Sequence, residues 1–87
     1  TLSIDETGLD TLQVLSLDNP KRIVVKGQIL ESTEFILYDI RGREVLKRDL
    51  VEGTTINTID TSQFTKGVYL VKLKNTSNII SKKLIIR

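Results

Sequence analysis

This chain of 87 residues has no cysteine, no histidine and no alanine, a single proline, and only four aromatic side chains. Each absence removes a class of explanation. Without Cys or His there is no Ser/His or Cys/His nucleophile pair and no ordinary zinc site. Without Cys there is also no disulfide from which a redox compartment could be read, so a domain this small has to hold itself together by packing alone. No apolar run approaches the ~20 residues of a membrane helix, and residues 1–13 lack the basic start and continuous apolar stretch of a signal peptide. Any leader is expected upstream, on a parent chain of which this is an excised piece. Charge of one sign is scarce too. Thirteen Lys and Arg face eleven Asp and Glu, for a net charge of +2, and the basic residues are spread along the chain rather than clustered on a phosphate-tracking stripe.

What the chain does have is β-branched side chains: 11 Ile, 7 Val and 10 Thr, 28 in all. They lose χ1 freedom in a helix and pack well on a pleated surface, so composition favours an all-β domain. The pattern along the chain agrees. Val14–Leu17 reads as a first strand ended by Asp18-Asn19-Pro20, and Arg22–Lys26 as a second broken by Gly27. Glu34–Ile40 and Glu44–Leu50 flank Arg41-Gly42-Arg43, a Gly-centred hairpin connection. Thr54–Ile59 is a short strand. Asp60-Thr61-Ser62 offers capping oxygens for a single helical turn closed by Gly67. Val68–Lys74 then alternates cleanly, placing Tyr69, Val71 and Leu73 inward and Val68, Leu70, Lys72 and Lys74 outward. Asn75–Asn78 is a turn, and Ile79–Arg87 is the last strand, with Ile80, Leu84 and Ile86 on the same face as Lys82, whose ammonium should stay wet at the sheet margin. Seven short strands at this spacing predict a seven-stranded antiparallel β-sandwich of immunoglobulin or fibronectin type, over residues 14–87, with 1–13 a linker tail carrying at most a short strand at Leu2–Ile4.

Three motifs stand out, each with a structural and a functional reading. Phe64-x-x-Gly67-x-Tyr69 has the spacing of a tyrosine corner, in which the ring is buried and the hydroxyl returns to upstream backbone; Gly67 is then expected at positive φ. The structural reading is a held corner, the functional one a surface shaped for a receptor. In Asp39-x-x-Gly42-Arg43, Gly42 serves the turn, while Asp39 and Arg43 can pair across it and Arg41 and Arg43 are free for recognition. Lys82-Lys83 precedes Leu84-Ile85-Ile86-Arg87. The lysines keep an edge soluble, or the strand, at whose end the chain stops, is offered for pairing to a receptor. On this reading, removing both lysines leaves the melting temperature nearly unchanged and reduces export. The acidic residues show no paired spacing, and no glycine-rich phosphate loop is present. Four aromatics, most of them needed in the core, make no stacking platform for nucleic acid. No enzyme activity, cofactor, metal or nucleic-acid partner is expected.

Taken in order, these motifs resemble the C-terminal sorting domain of proteins exported by the type IX (Por) secretion system, in its type A family. Tyr38, Asp39, Gly42 and Arg43 match that family's Tyr-Asp-x-x-Gly-Arg hairpin, Gly67 and Tyr69 its Gly-x-Tyr element, and Lys82, Lys83, Leu84 and Ile85 its Lys-rich last strand. At the opening only Asn19 and Pro20 of Tyr-Pro-Asn-Pro are present, with Leu17 and Asp18 in place of the first two. The resemblance implies an address label. A cargo domain preceding it on the same chain would cross the inner membrane by an ordinary signal peptide, and this domain would fold in the periplasm of a Gram-negative cell. An outer-membrane translocon would then read it and export the cargo. A sortase-like protease would cut it off near the linker, leaving the cargo on the cell surface or released. The residues implicated are Asp39, Arg41, Gly42, Arg43, Gly67, Tyr69, Lys82, Lys83, Leu84, Ile85, Ile86 and Arg87. The competing expectation is a fibronectin-like spacer or adhesion module that stays on a surface protein.

Overall fold

A computed structural model describes residues 12–87. The linker tail and the short strand expected at Leu2–Ile4 fall, but for the tail's last two residues, outside the described part. Seven strands follow one another: β1 (Gln13–Leu17), β2 (Arg22–Lys26), β3 (Thr33–Tyr38), β4 (Glu44–Leu50), β5 (Ile56–Asp60), β6 (Gly67–Lys74) and β7 (Ile79–Ile86). They form a three-stranded sheet in the order β1-β2-β5 and a four-stranded sheet in the order β4-β3-β6-β7, every pairing antiparallel. This is the expected β-sandwich of immunoglobulin/fibronectin type. Its fourth strand lies beside the third rather than beside the fifth, as in sandwiches whose extra strand joins the larger sheet.

The core follows from the period of two. On β6, Tyr69, Val71 and Leu73 face inward as expected, and the last two are fully buried. They meet Phe35 and Leu37 of β3, Leu84 and Ile86 of β7, and Ile23, Val25 and Ile59 from the opposing sheet, in one apolar cluster. Leu12, just before β1, is part of the same cluster. The β3–β4 ladder shifts register between Leu37 and Tyr38: Leu37 pairs with Leu46 but Tyr38 with Glu44, so Val45 is an extra residue on β4. That bulge lets Val45 as well as Leu46 pack against the core.

Two local expectations need correction. Residues 61–66 contain no helical turn. Asp60 Oδ1 does accept the Ser62 N–H at 2.9 Å, but the Phe64 N–H reaches back to the Thr61 carbonyl at 3.0 Å, closing a β-turn instead. Four residues between Ser62 and Gly67 are too few to propagate a helix whose nucleation alone is unfavourable. Strand β3 also ends at Tyr38 rather than Ile40, because Asp39 and Ile40 belong to the hairpin turn.

Candidate recognition surface

Register decides what the motif segments do together. Tyr38 lies beside Leu70, Leu70 beside Lys83, Val68 beside Ile85, and Gly67 beside Ile86. The tip of the β3–β4 hairpin, the start of β6 and the end of β7 therefore converge at one end of the four-stranded sheet. Segments up to nearly fifty residues apart in sequence become neighbours there.

The hairpin tip is built around one carboxylate. Asp39 Oδ1 accepts the N–H groups of Arg41 at 2.9 Å and Arg43 at 3.0 Å, while Oδ2 accepts the Arg43 Nε–H at 2.9 Å. The Asp39 N–H donates to the Arg43 carbonyl, and the Gly42 N–H to the Asp39 carbonyl, each at 2.9 Å. Gly42 supplies the turn with φ +84°, where a Cβ would be strained although nothing lies within 4 Å of it. The backbone N–H of Arg43, foremost, holds the Asp39 carboxyl below the usual carboxylate range; its guanidinium and the Arg41 N–H add to this, partly offset by desolvation. The expected Asp39–Arg43 pair is present. Arg43 is thereby engaged by the turn, while Arg41 offers its side chain outward from an exposed position.

The tyrosine corner is present as well. The Tyr69 ring is buried, its hydroxyl donates to the Thr65 carbonyl at 2.8 Å, and its ring lies 6.1 Å from that of Phe64 in a tilted pair. Gly67 has the expected positive φ, at +155°. Lys21 Nζ donates to the Phe64 carbonyl, tying the same loop to the β1–β2 turn of the other sheet.

On β7 the pleat divides the implicated residues. Lys83, Ile85 and Arg87 are exposed, whereas Leu84 and Ile86 are buried in the core. Lys82 faces inward at the margin of this edge strand, as expected, where it is half-buried and its ammonium donates to the Leu12 carbonyl at 3.0 Å, across to the chain entering β1. Lys82 therefore links the end of β7 to the chain entering the other sheet.

Reasoning from sequence missed the outer face of this same end. Ile40, at the hairpin tip, is 81% exposed, and Val68, Leu70 and Ile85 are each 41–48% exposed on adjoining strands. Ile40, Val68 and Leu70 line a cleft of about 470 Å³ between the hairpin and β6. A second cleft of similar volume opens on the other side of Ile40, against Phe64 and Lys66. The signal was in the alternation: Val68 and Leu70 sit at outward positions of β6, where solvent-facing residues are ordinarily polar. Ile36, also outward, is only 6% exposed, and its cross-strand neighbours are Lys47 and Lys72.

Among the described residues, no group of three or more acidic side chains is placed to hold a metal ion, and no helix is long and apolar enough to cross a membrane. Residues 19–87, from the Asn19-Pro20 turn to the last residue, match the family described as the secretion system C-terminal sorting domain. The chain belongs to this family. No curated protein matches it. Membership makes the domain a type IX secretion sorting signal, which implies interaction with that machinery and export to the outer membrane, the cell surface or the extracellular space. The family is one of sorting signals rather than enzymes.

Proposed function

We propose that this sorting domain acts as a folded, removable tag: it folds in the periplasm, is read by the outer-membrane translocon, and is then cut from its cargo by a sortase-like protease. The cargo stays on the cell surface or is released. The observation that carries this reading is the convergence of the hairpin, Gly67 and the end of β7 at one end of one sheet. A code divided among segments so far apart can be read only after the chain has folded, so folding precedes recognition. Of the implicated residues, Arg41, Lys83, Ile85 and Arg87 form the surface that is read. Asp39, Gly42, Arg43, Gly67 and Tyr69 shape it, and Lys82, Leu84 and Ile86 hold the strand that presents it. The cut falls in the linker at residues 1–13.

Fusing the 87 residues behind a signal peptide and a reporter, in a cell with the type IX system, tests this. The reporter should reach the cell surface or medium and lose close to the 9.8 kDa of the domain on the way. A reporter exported with the domain still attached would favour a retained spacer. A reporter built with the signal peptide but never fused to the domain, and still exported, would show that the domain carries no address.

A further inference from the structure

The apolar cleft beside Ile40 has a charge pattern that says what should fill it. Tyr38, Ile40, Val68 and Leu70 form its apolar wall, and its charged lining consists of Lys72, Lys83 and Asp39. Asp39 accepts two hairpin N–H groups and the Arg43 guanidinium, so its charge is already paired within the turn. Lys72 Nζ sits 5.5 Å above the Tyr38 ring, and Lys83 is exposed beside Leu70. Strands β6 and β7 carry four lysines and no carboxylate. Around the corner, the second cleft adds Arg41 and Lys66. The exposed Glu44 pairs with Tyr38 from the β4 side and does not line the cleft. The face is thus apolar in the middle and cationic along its β6–β7 flank.

We infer that this cleft takes an extended protein segment in which aliphatic side chains are interleaved with carboxylates, supplied by a component of the export machinery; this rests on the sorting reading above. The aliphatic residues of the segment cover Val68, Leu70 and Ile40, whose exposure gains the isolated domain nothing. Its carboxylates meet Lys72 and Lys83, which sets register and rejects basic segments by like-charge repulsion. A nucleic acid would need stacking surfaces, and Tyr38, the aromatic ring on this outer wall, already lies under Lys72. A bilayer would need a broad amphipathic face rather than a recess walled by a hairpin.

The test is a fluorescence anisotropy titration of the whole chain against a short labelled peptide alternating Leu and Glu, with an alternating Leu and Lys peptide and phosphatidylglycerol vesicles as competing probes. The Leu–Glu peptide should bind and the Leu–Lys peptide should not. Leu70→Asp should weaken binding by about tenfold or more. The double variant Lys72→Glu/Lys83→Glu should lose the Leu–Glu peptide and gain the Leu–Lys peptide. Both variants are checked for a native melting curve, and if Leu70→Asp does not fold, the double lysine variant carries the test. Equal binding of the two peptides, no effect of a folded variant, or a preference for vesicles that the same variants abolish would each overturn the inference. In cells, export lost on removal of the domain but intact with the folded double variant overturns the cleft alone. Export that survives removal of the domain overturns the sorting reading itself.

Discussion

Replacing Tyr69 by Phe removes one oxygen and almost no packing, so it isolates the hydroxyl's hold on Thr65, a bond to its carbonyl and a longer 3.4 Å contact with its Oγ1, beside the recognition surface. The hydroxyl donates to the Thr65 carbonyl at 2.8 Å, a favourable length, from a side chain that is 8% exposed. A neutral hydrogen bond of this kind contributes about 0.5–1.5 kcal/mol net. Thr65 itself is exposed, so water can take the place of the hydroxyl on its carbonyl and no buried acceptor is stranded. The expected loss is therefore about 1 kcal/mol, and for a domain of this length that lowers the melting temperature by about 5 °C. Tyr69→Ala also removes the ring from between Phe64 and the core and should cost about 3–5 kcal/mol. A domain of this size has roughly 4–13 kcal/mol of stability in total, so the Ala variant should be partly or wholly unfolded at growth temperature. The assay is thermal denaturation followed by circular dichroism. A Phe variant that melts together with the native domain would refute the view that the corner bond holds the 61–66 loop.

Gly42→Ala should cost about 1 kcal/mol, because at φ +84° the added Cβ meets no neighbour and the penalty is backbone strain alone; thermal melting checks it. Lys82→Ala and Lys83→Ala should separate: the first loses the bond to the Leu12 carbonyl and about 1 kcal/mol, the second stays within about 0.5 kcal/mol of native. Equal melting temperatures for the two would refute the tie between the sheets. Asp39 should titrate below the ordinary carboxylate range in an NMR pH series, and Arg43→Ala should leave much of that depression in place, since the leading cause is a backbone N–H that the variant keeps. The folded-state value is lowered, so the stabilisation is fully present above the unfolded value near pH 4 and is lost as pH falls through the folded one. Asp60, held down first by the Ser62 backbone N–H, should follow the same acid-side course.

The strands were legible because alternation and turn residues agree along this chain. Val68–Lys74 shows both: its inward and outward sets could be assigned from spacing alone, and Gly42 and Gly67 mark backbone conformations that other residues resist. The tyrosine corner was legible for the same reason, since Tyr69 two residues after a glycine fixes where the ring and hydroxyl must go. The 61–66 segment was misread because Asp and Ser at its start satisfy a β-turn as readily as a helix cap, and only the short span to Gly67 decides between them. Lys82 was placed correctly, but the alternation that places it inward says nothing of what waits there. Its partner, the Leu12 carbonyl, is 70 residues away.

By itself the sequence determined an all-β sandwich and the order of three sorting motifs, since period-two patterning, β-branched composition and turn glycines are local properties that each segment carries unaided. Only the tertiary structure decided that those motifs meet at one end of one sheet, that Leu84 and Ile86 serve the core while Lys83 and Ile85 face out, and that Ile40, Val68 and Leu70 gather into an open apolar cleft. Those outcomes depend on which strands pair and in what register, and register is set by the whole core packing at once rather than by any single strand.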